Sequence, residues 1–234
     1  SRDDPLGVCS FGDGAIAGAV CPNRFLEGDK VFVDAGRVVF GSSANVVVAP
    51  EIRILEIPGT RRRRIGKVDF VLGRLDASGI VTDFAALEVQ AVYFSGPAIR
   101  GSLDAYLETG EVPPGSGRRL DHRSSAQKRL MPQLSLKVPV FRRWGKKFFV
   151  AADRLFFSSL PIMKEVDRIE NSEISWLVYP LAWEGSRYSL GHPEVHFTLW
   201  EDVISALREG QEPTPAEIMQ TLSAHSTEYK LVVT

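Results

Sequence analysis

The chain reads as one α/β domain built on a mixed central β-sheet flanked by helices, with a short N-terminal knuckle. Segments that alternate apolar and polar residues with a period of two are interleaved with segments of helical composition, the ordering expected of α/β and α+β domains. At 234 residues and 44% hydrophobic content the chain can bury one substantial core. No apolar run approaches the roughly 18 to 20 residues needed to cross a bilayer, which excludes a helical membrane protein, and no signal peptide opens the sequence. A cytoplasmic location is the default expectation.

Taken in order, residues Ser1 to Gly28 are rich in Gly, Asp and small residues and carry Cys9 and Cys21 in a stretch without periodicity, a loop-rich knuckle. The remainder, residues 29–234, is assigned to the main domain. Two cysteines without secretory features argue against a disulfide scaffold and leave metal ligation or plain burial. Lys30 to Phe40 suits a helix, and Val46 to Ile57 is apolar enough for a partly buried element. Ile65 to Leu72 and Asp83 to Phe94 alternate like strands, and the Asp-Ala-Ser-Gly turn at Asp76 to Gly79 joins them as a β-hairpin. Gly110 to Gly117 is a Pro/Gly loop. Ser125 to Lys137 has helical composition, and Pro132 forces a kink or a new start within it. Lys147 to Ala152 suits a buried central strand, Ser175 to Ala182 and Val195 to Trp200 further strands, and Leu199 to Glu209 a helix.

The net charge of −1 conceals a strong asymmetry. From Gly115 to Val150 ten basic residues stand against Asp121 alone, whereas from Ala151 onward thirteen acidic residues face six basic ones. A second basic cluster is Arg61, Arg62, Arg63 and Arg64. Phosphate contacts supply most nonspecific DNA affinity, and these clusters flank the hairpin in sequence. Arg118, Arg119, Arg123, Lys128, Arg129 and Lys137 are therefore candidate DNA contacts, the arginines with the further ability to read guanine in a bidentate fashion. The bland alternative for any such run is a solvated face. Arg129, Gln133 and Lys137 recur at i+4, so a helix would align them, and Gln133 or Lys137 could support a site from behind. His192 and His196 are read as ordinary surface or core polar residues.

The hairpin carries the chemistry. Side chains alternate along a strand, so Glu88 and Gln90 of LEVQ project together about 7 Å apart, while Leu87, Val89 and Ala91 turn to the core. Asp69 lies on the preceding strand between Val68 and Phe70, where register can bring it beside Glu88. Two carboxylates converging with a glutamine offer the oxygen ligands a hard divalent cation takes, with water and a phosphate oxygen completing the shell. Such a cation would serve phosphodiester hydrolysis. An ordinary solvated hairpin face shows the same short pattern, so context must decide.

That context is a resemblance. Asp69 followed by Glu88-x-Gln90 on the next strand is similar to the PD-(D/E)xK nuclease signature with glutamine in place of lysine, and within that superfamily it resembles the NotI-type restriction endonuclease family. GVC at Gly7 to Cys9 with VCPNR at Val20 to Arg24 resembles that family's metal-binding segment. LEVQAVYFSG at Leu87 to Gly96 resembles its LEIQ strand, and KR-x3-Q-x3-K at Lys128 to Lys137 its following helix. The resemblance implies a restriction-endonuclease-like core in a bacterial enzyme that cuts double-stranded DNA with Mg²⁺, as a homodimer, at a GC-rich palindrome. It implies that Asp69 and Glu88 bind the Mg²⁺, that Gln90 orients the attacking water, and that Glu51 of PEIRI matches an upstream glutamate. Cys9 and Cys21 match the last two of four thiolates around a structural iron or zinc. The first two would precede Ser1, leaving a truncated chain, other ligands or a lost metal as the alternatives. Two rival functions are a structure-specific or repair nuclease of the same superfamily and a DNA-binding module with a degenerate site.

Overall fold

A computed structural model describes residues 10–12, 17–56, 64–95, 100–111, 119–121, 125–185, 187–208 and 213–224. Its centre is a six-stranded sheet. The strands are β3 (Asn45–Glu56), β4 (Arg64–Leu75), β5 (Val81–Gln90), β8 (Phe148–Asp153), β9 (Ile174–Tyr179) and β12 (Glu194–Thr198), in the spatial order β12-β9-β8-β5-β4-β3. Strands β3, β4 and β5 form an antiparallel meander, β5, β8 and β9 run parallel, and β12 returns antiparallel on β9. The sheet is thus mixed and helices flank it, as the sequence predicts.

The meander follows from the turn chemistry of Asp76 to Gly79. Asp76 Oδ1 accepts from the N–H groups of Ser78 and Ile80 at 2.8 and 2.9 Å, and Gly79 takes the left-handed φ of +79° that favours glycine. The parallel strands read differently. Every residue of FFVAAD in β8 and ISWLVY in β9 is buried, because helices cover both faces and leave no side to alternate toward water.

One face is covered by α3 (Met131–Arg143), with Leu134, Val138 and Phe141 packed against Val68, Ala86, Phe148 and Val150. Beside it lies α5 (Trp200–Arg208), with Val203 and Leu207. Pro132 stands within the first two positions of α3, where its missing N–H is not needed, and a π-helical turn at Ser125–Leu130 precedes it. Pro132 therefore stands where the π-turn passes into α3. The opposite face is covered by α1 (Lys30–Phe40), through Val31, Phe32 and Ala35, and by a 3₁₀ segment at Pro22–Asp29 that contributes Phe25. Tyr179 at the end of β9 donates to Asp34 of α1 at 3.0 Å, fixing that helix to the sheet. Helices α2 (Arg100–Thr109) and α6 (Pro215–Ala224) lie outside these two layers' named contacts.

The N-terminal segment is sewn onto this core. Short strands β1 (Ser10–Gly12) and β2 (Ala17–Ala19) pair with each other, as do β6 (Tyr93–Ser95) with β7 (Arg119–Asp121) and β10 (Leu181–Trp183) with β11 (Tyr188–Leu190). Asp153, at the end of β8, is wholly buried. One of its oxygens caps α4 (Arg154–Ser158) by accepting from Phe156 N at 2.9 Å, and the other accepts from Ala19 N at 3.1 Å. The guanidinium of Arg24, 1% exposed, meets both carboxylate oxygens of Glu27, Ser10 Oγ and the carbonyl of Tyr188.

Replacing Asp153 by Ala removes a helix cap and leaves the Ala19 N–H buried without its acceptor. The expected loss is about 1–3 kcal/mol of stability in urea denaturation, with faster hydrogen exchange at Ala19 than at β9.

Candidate active site

The site forms where the ladders of the meander are interrupted. Between β3 and β4 the paired residues are Pro50 with Phe70 and Ile52 with Val68, so Glu51 faces Asp69 without a ladder pair. Glu51 has a φ of +54°, a left-handed backbone uncommon for a residue with a side chain. Between β4 and β5 the pairing ends at Phe70 with Leu87, one position short of Asp69 and Glu88. Side chains take over from there. Asp69 Oδ2 accepts from Val89 N at 3.0 Å, and Glu88 Oε1 accepts from Asp69 N at 3.1 Å. The two carboxylates are thereby interlocked through each other's strand.

Glu88 is 1% exposed, and β5 is as buried on its Glu88 face as on its Leu87 face. Leu87, Val89 and Ala91 turn to the core as expected, and the Glu88 face is covered as well: α3 lies over it, and Ala86 on that face belongs to the larger core cluster. A buried carboxylate requires a partner. Lys137 of α3 provides one, with Nζ 2.7 Å from Glu88 Oε1 and a side chain 7% exposed. Glu88 Oε2 is buried with no hydrogen-bond partner. Burial first, and then the nearby charge of Asp69, raise the Glu88 carboxyl to about 7 against the opposing pull of Lys137.

The remaining sequence candidates are distributed around this centre. Gln90 is buried, and its Nε2 donates to the Ala91 carbonyl at 2.6 Å. Glu51 lies across from Asp69, but its side chain is 70% exposed and pairs with Lys67 at 2.5 Å, which holds its carboxyl below the usual range. Cys21 is half-buried just before the 3₁₀ segment, while Cys9 lies outside the described residues.

Arg61, Arg62, Arg63, Arg118 and Arg123 also lie outside the described residues, and Arg64 and Arg119 are the first residues of β4 and β7. Lys128 and Arg129 are exposed, and Arg129 lies over the Tyr93 ring at 3.5 Å.

The i+4 row does not remain one face. Arg129 and Gln133 are exposed and Lys137 is buried, which corrects the reading of Lys137 as a DNA contact. Four residues advance an α-helix about 40° beyond a full turn, so an i+4 row drifts around it, and the π-turn that holds Arg129 turns by a different angle per residue, so the three side chains do not share one face. The signal for its true position was its place among Leu134, Val138 and Phe141, on the apolar stripe. Lys67, the partner of Glu51, carried no comparable signal.

The donor set suits a hard divalent cation. Among the described residues no three His, Cys, Asp or Glu side chains converge. Magnesium is commonly held by only one or two carboxylates with water and phosphate oxygens, and Asp69 with the unpartnered Glu88 Oε2 meets that requirement. No described helix is long and apolar enough to cross a membrane.

A search among curated proteins found no match. The family model described as "Restriction endonuclease NotI" matches residues 10–190, which include β3, β4, β5, α3, β8 and β9 with the Asp69–Glu88 pair. The chain belongs to the NotI restriction endonuclease family, and is accordingly a nuclease that hydrolyses DNA.

Proposed function

We propose that this enzyme is a type II site-specific endonuclease that cuts both strands of duplex DNA with Mg²⁺ bound by Asp69 and Glu88. The observation that carries the reading is the interlocked carboxylate pair, one oxygen of which is buried without a partner, in a chain of this family. When bound, the cation would lower the pKa of a coordinated water and stabilise charge on the phosphate. The chain's own residues do the rest. Val89 N holds Asp69 in orientation, while Asp69 N and Lys137 hold Glu88 Oε1, so both carboxylates are fixed before substrate arrives.

DNA contacts are assigned to Arg61 through Arg64, Arg118, Arg119, Arg123, Lys128 and Arg129. Arg129 has the most direct support, since it stacks on Tyr93 of β6, a few residues beyond Glu88 along the chain, with its neighbour Lys128 also exposed. By family analogy the enzyme is a PD-(D/E)xK-type, cytoplasmic bacterial homodimer, one active site per strand, acting at a GC-rich palindrome. Gln90 would orient the attacking water and Glu51 would assist from β3. Residues 1–28 would form a knuckle around a structural iron or zinc held in part by Cys9 and Cys21, and residues 29–234 the nuclease domain.

Digestion of long, mixed-sequence plasmid and phage DNA with Mg²⁺, against an EDTA control, should yield discrete fragments that share one terminal sequence. Cleavage confined to branched or damaged DNA would make it a structure-specific nuclease, and binding without cleavage under any divalent cation a DNA-binding module. Glu88→Ala should abolish cleavage and spare DNA binding measured by fluorescence anisotropy.

The elevated Glu88 carboxyl gives a second test. Because the folded value of about 7 exceeds the ordinary 4.5, the folded protein holds an extra proton between them. Stability of the metal-free protein should therefore fall as pH rises from 4.5 through 7, and Glu88→Gln should flatten that loss in pH-dependent urea denaturation.

A further inference from the structure

The two oxygens of Glu88 are not equivalent. Oε1 accepts from Lys137 Nζ at 2.7 Å and from Asp69 N at 3.1 Å, whereas Oε2 is equally buried and accepts from nothing. Lys137 reaches this point from an apolar stripe, between Leu134, Val138 and Phe141, where an ammonium without a counter-charge would be costly. A buried ion pair of this kind contributes little net stability compared with apolar residues of the same volume. What it does contribute is geometry, by preventing the carboxylate from exchanging its two oxygens.

The strand itself does not provide that positive charge. Gln90, two residues along on the same face, is neutral, and its amide donates to the Ala91 carbonyl. The cation that meets the site comes from a different element, α3, packed across β4 and β5.

We infer that Lys137 is a positioning residue for DNA cleavage: it clamps Oε1 of Glu88 and leaves Oε2 as the oxygen presented to the divalent cation. This rests on the proposed function for the use of that oxygen, and on the ion pair alone for the clamp. Lys137 acts through Glu88 and makes no contact with DNA.

The test uses the full chain with Lys137→Met, which keeps the length of the stem and removes the charge, alone and combined with Glu88→Gln. Three quantities are measured: single-turnover cleavage at saturating Mg²⁺, DNA affinity and its salt dependence in EDTA, and urea denaturation of the metal-free proteins. The expected result is cleavage slower by about 100-fold with DNA affinity and salt slope unchanged. In denaturation, Lys137→Met should destabilise the fold by more than about tenfold in the unfolding equilibrium when Glu88 is present, and should not destabilise it in the Glu88→Gln background, where the ammonium has already lost its counter-charge.

Cleavage retained within about threefold would overturn the inference. So would weaker DNA binding with a shallower salt slope and an intact rate at saturating DNA, which is the behaviour of a phosphate contact. If Lys137→Met alone does not fold, the double variant should, because it leaves no buried unpaired charge; failure of both would reduce Lys137 to packing. A wild-type protein that cuts nothing would remove the proposed function without touching the clamp, which the denaturation cycle decides on its own: additive penalties overturn it.

Discussion

A carboxylate buried in the middle of a sheet is the constraint around which this molecule is organised. Strand β5 lies between β4 and β8, with helices over both faces, so Glu88 is almost wholly withdrawn from water. Removing a charged group from water costs several kcal/mol even after relaxation. The fold meets that cost from two directions, with an ammonium from α3 and a backbone N–H from β4. The second of these is available only because the β4–β5 pairing stops one residue earlier, at Phe70 and Leu87. Interruption of the ladder and burial of the acid are thus one arrangement: the amides released from strand pairing are those that hold Asp69 and Glu88.

The neighbouring strand shows the same economy of backbone groups. Glu51 faces Asp69 without a ladder pair and carries a left-handed φ, a conformation that costs of order 1–3 kcal/mol and tends to persist where the surroundings over-determine it. Three acidic residues on three adjacent strands therefore lie in one row, Glu51, Asp69 and Glu88, in an order of increasing burial from the sheet edge inward. The edge member pairs with Lys67, the half-buried member accepts from a backbone amide, and of the three only the innermost has a buried oxygen with no partner.

Much of this was legible in the sequence, and the limits are physical. The hairpin declared itself through alternation and the Asp76 to Gly79 turn, and β8 through an unbroken apolar run. The juxtaposition of Asp69 with Glu88 followed from hairpin register. Two things did not follow. Periodicity assigns one face of an antiparallel strand to the core, but β5 is antiparallel to β4 and parallel to β8, and a strand at that junction is covered on both sides. Likewise, i+4 spacing places Arg129, Gln133 and Lys137 in a row only on a straight α-helix, whereas the chain enters α3 through a π-turn. A lysine among leucine, valine and phenylalanine positions was the better guide than its spacing from other polar residues.

The same lesson applies to the basic centre of the chain, whose charge reads from the sequence as one continuous DNA footprint. Lys137 faces Glu88, Arg142 pairs with Glu173 at 2.7 Å, Lys146 pairs with Asp83 at 2.6 Å, and Lys147 donates to the carbonyls of Glu170 and Ser172. These four residues tie α3 and the start of β8 to acidic or carbonyl groups elsewhere in the fold, Glu170 and Glu173 belonging to the acidic last third. Part of the apparent excess of positive charge is therefore answered inside the molecule. What is left facing outward among the described residues of that segment includes Lys128, Arg129 and Arg143. Lys128 and Arg129 stand at the junction with α3, and Arg129 lies against Tyr93 just beyond the end of β5. Under the proposed function, a phosphate backbone drawn to that junction would be drawn to the strand end where Glu88 lies, so the exposed charges of the π-turn and the carboxylates of β4 and β5 would meet the same stretch of DNA.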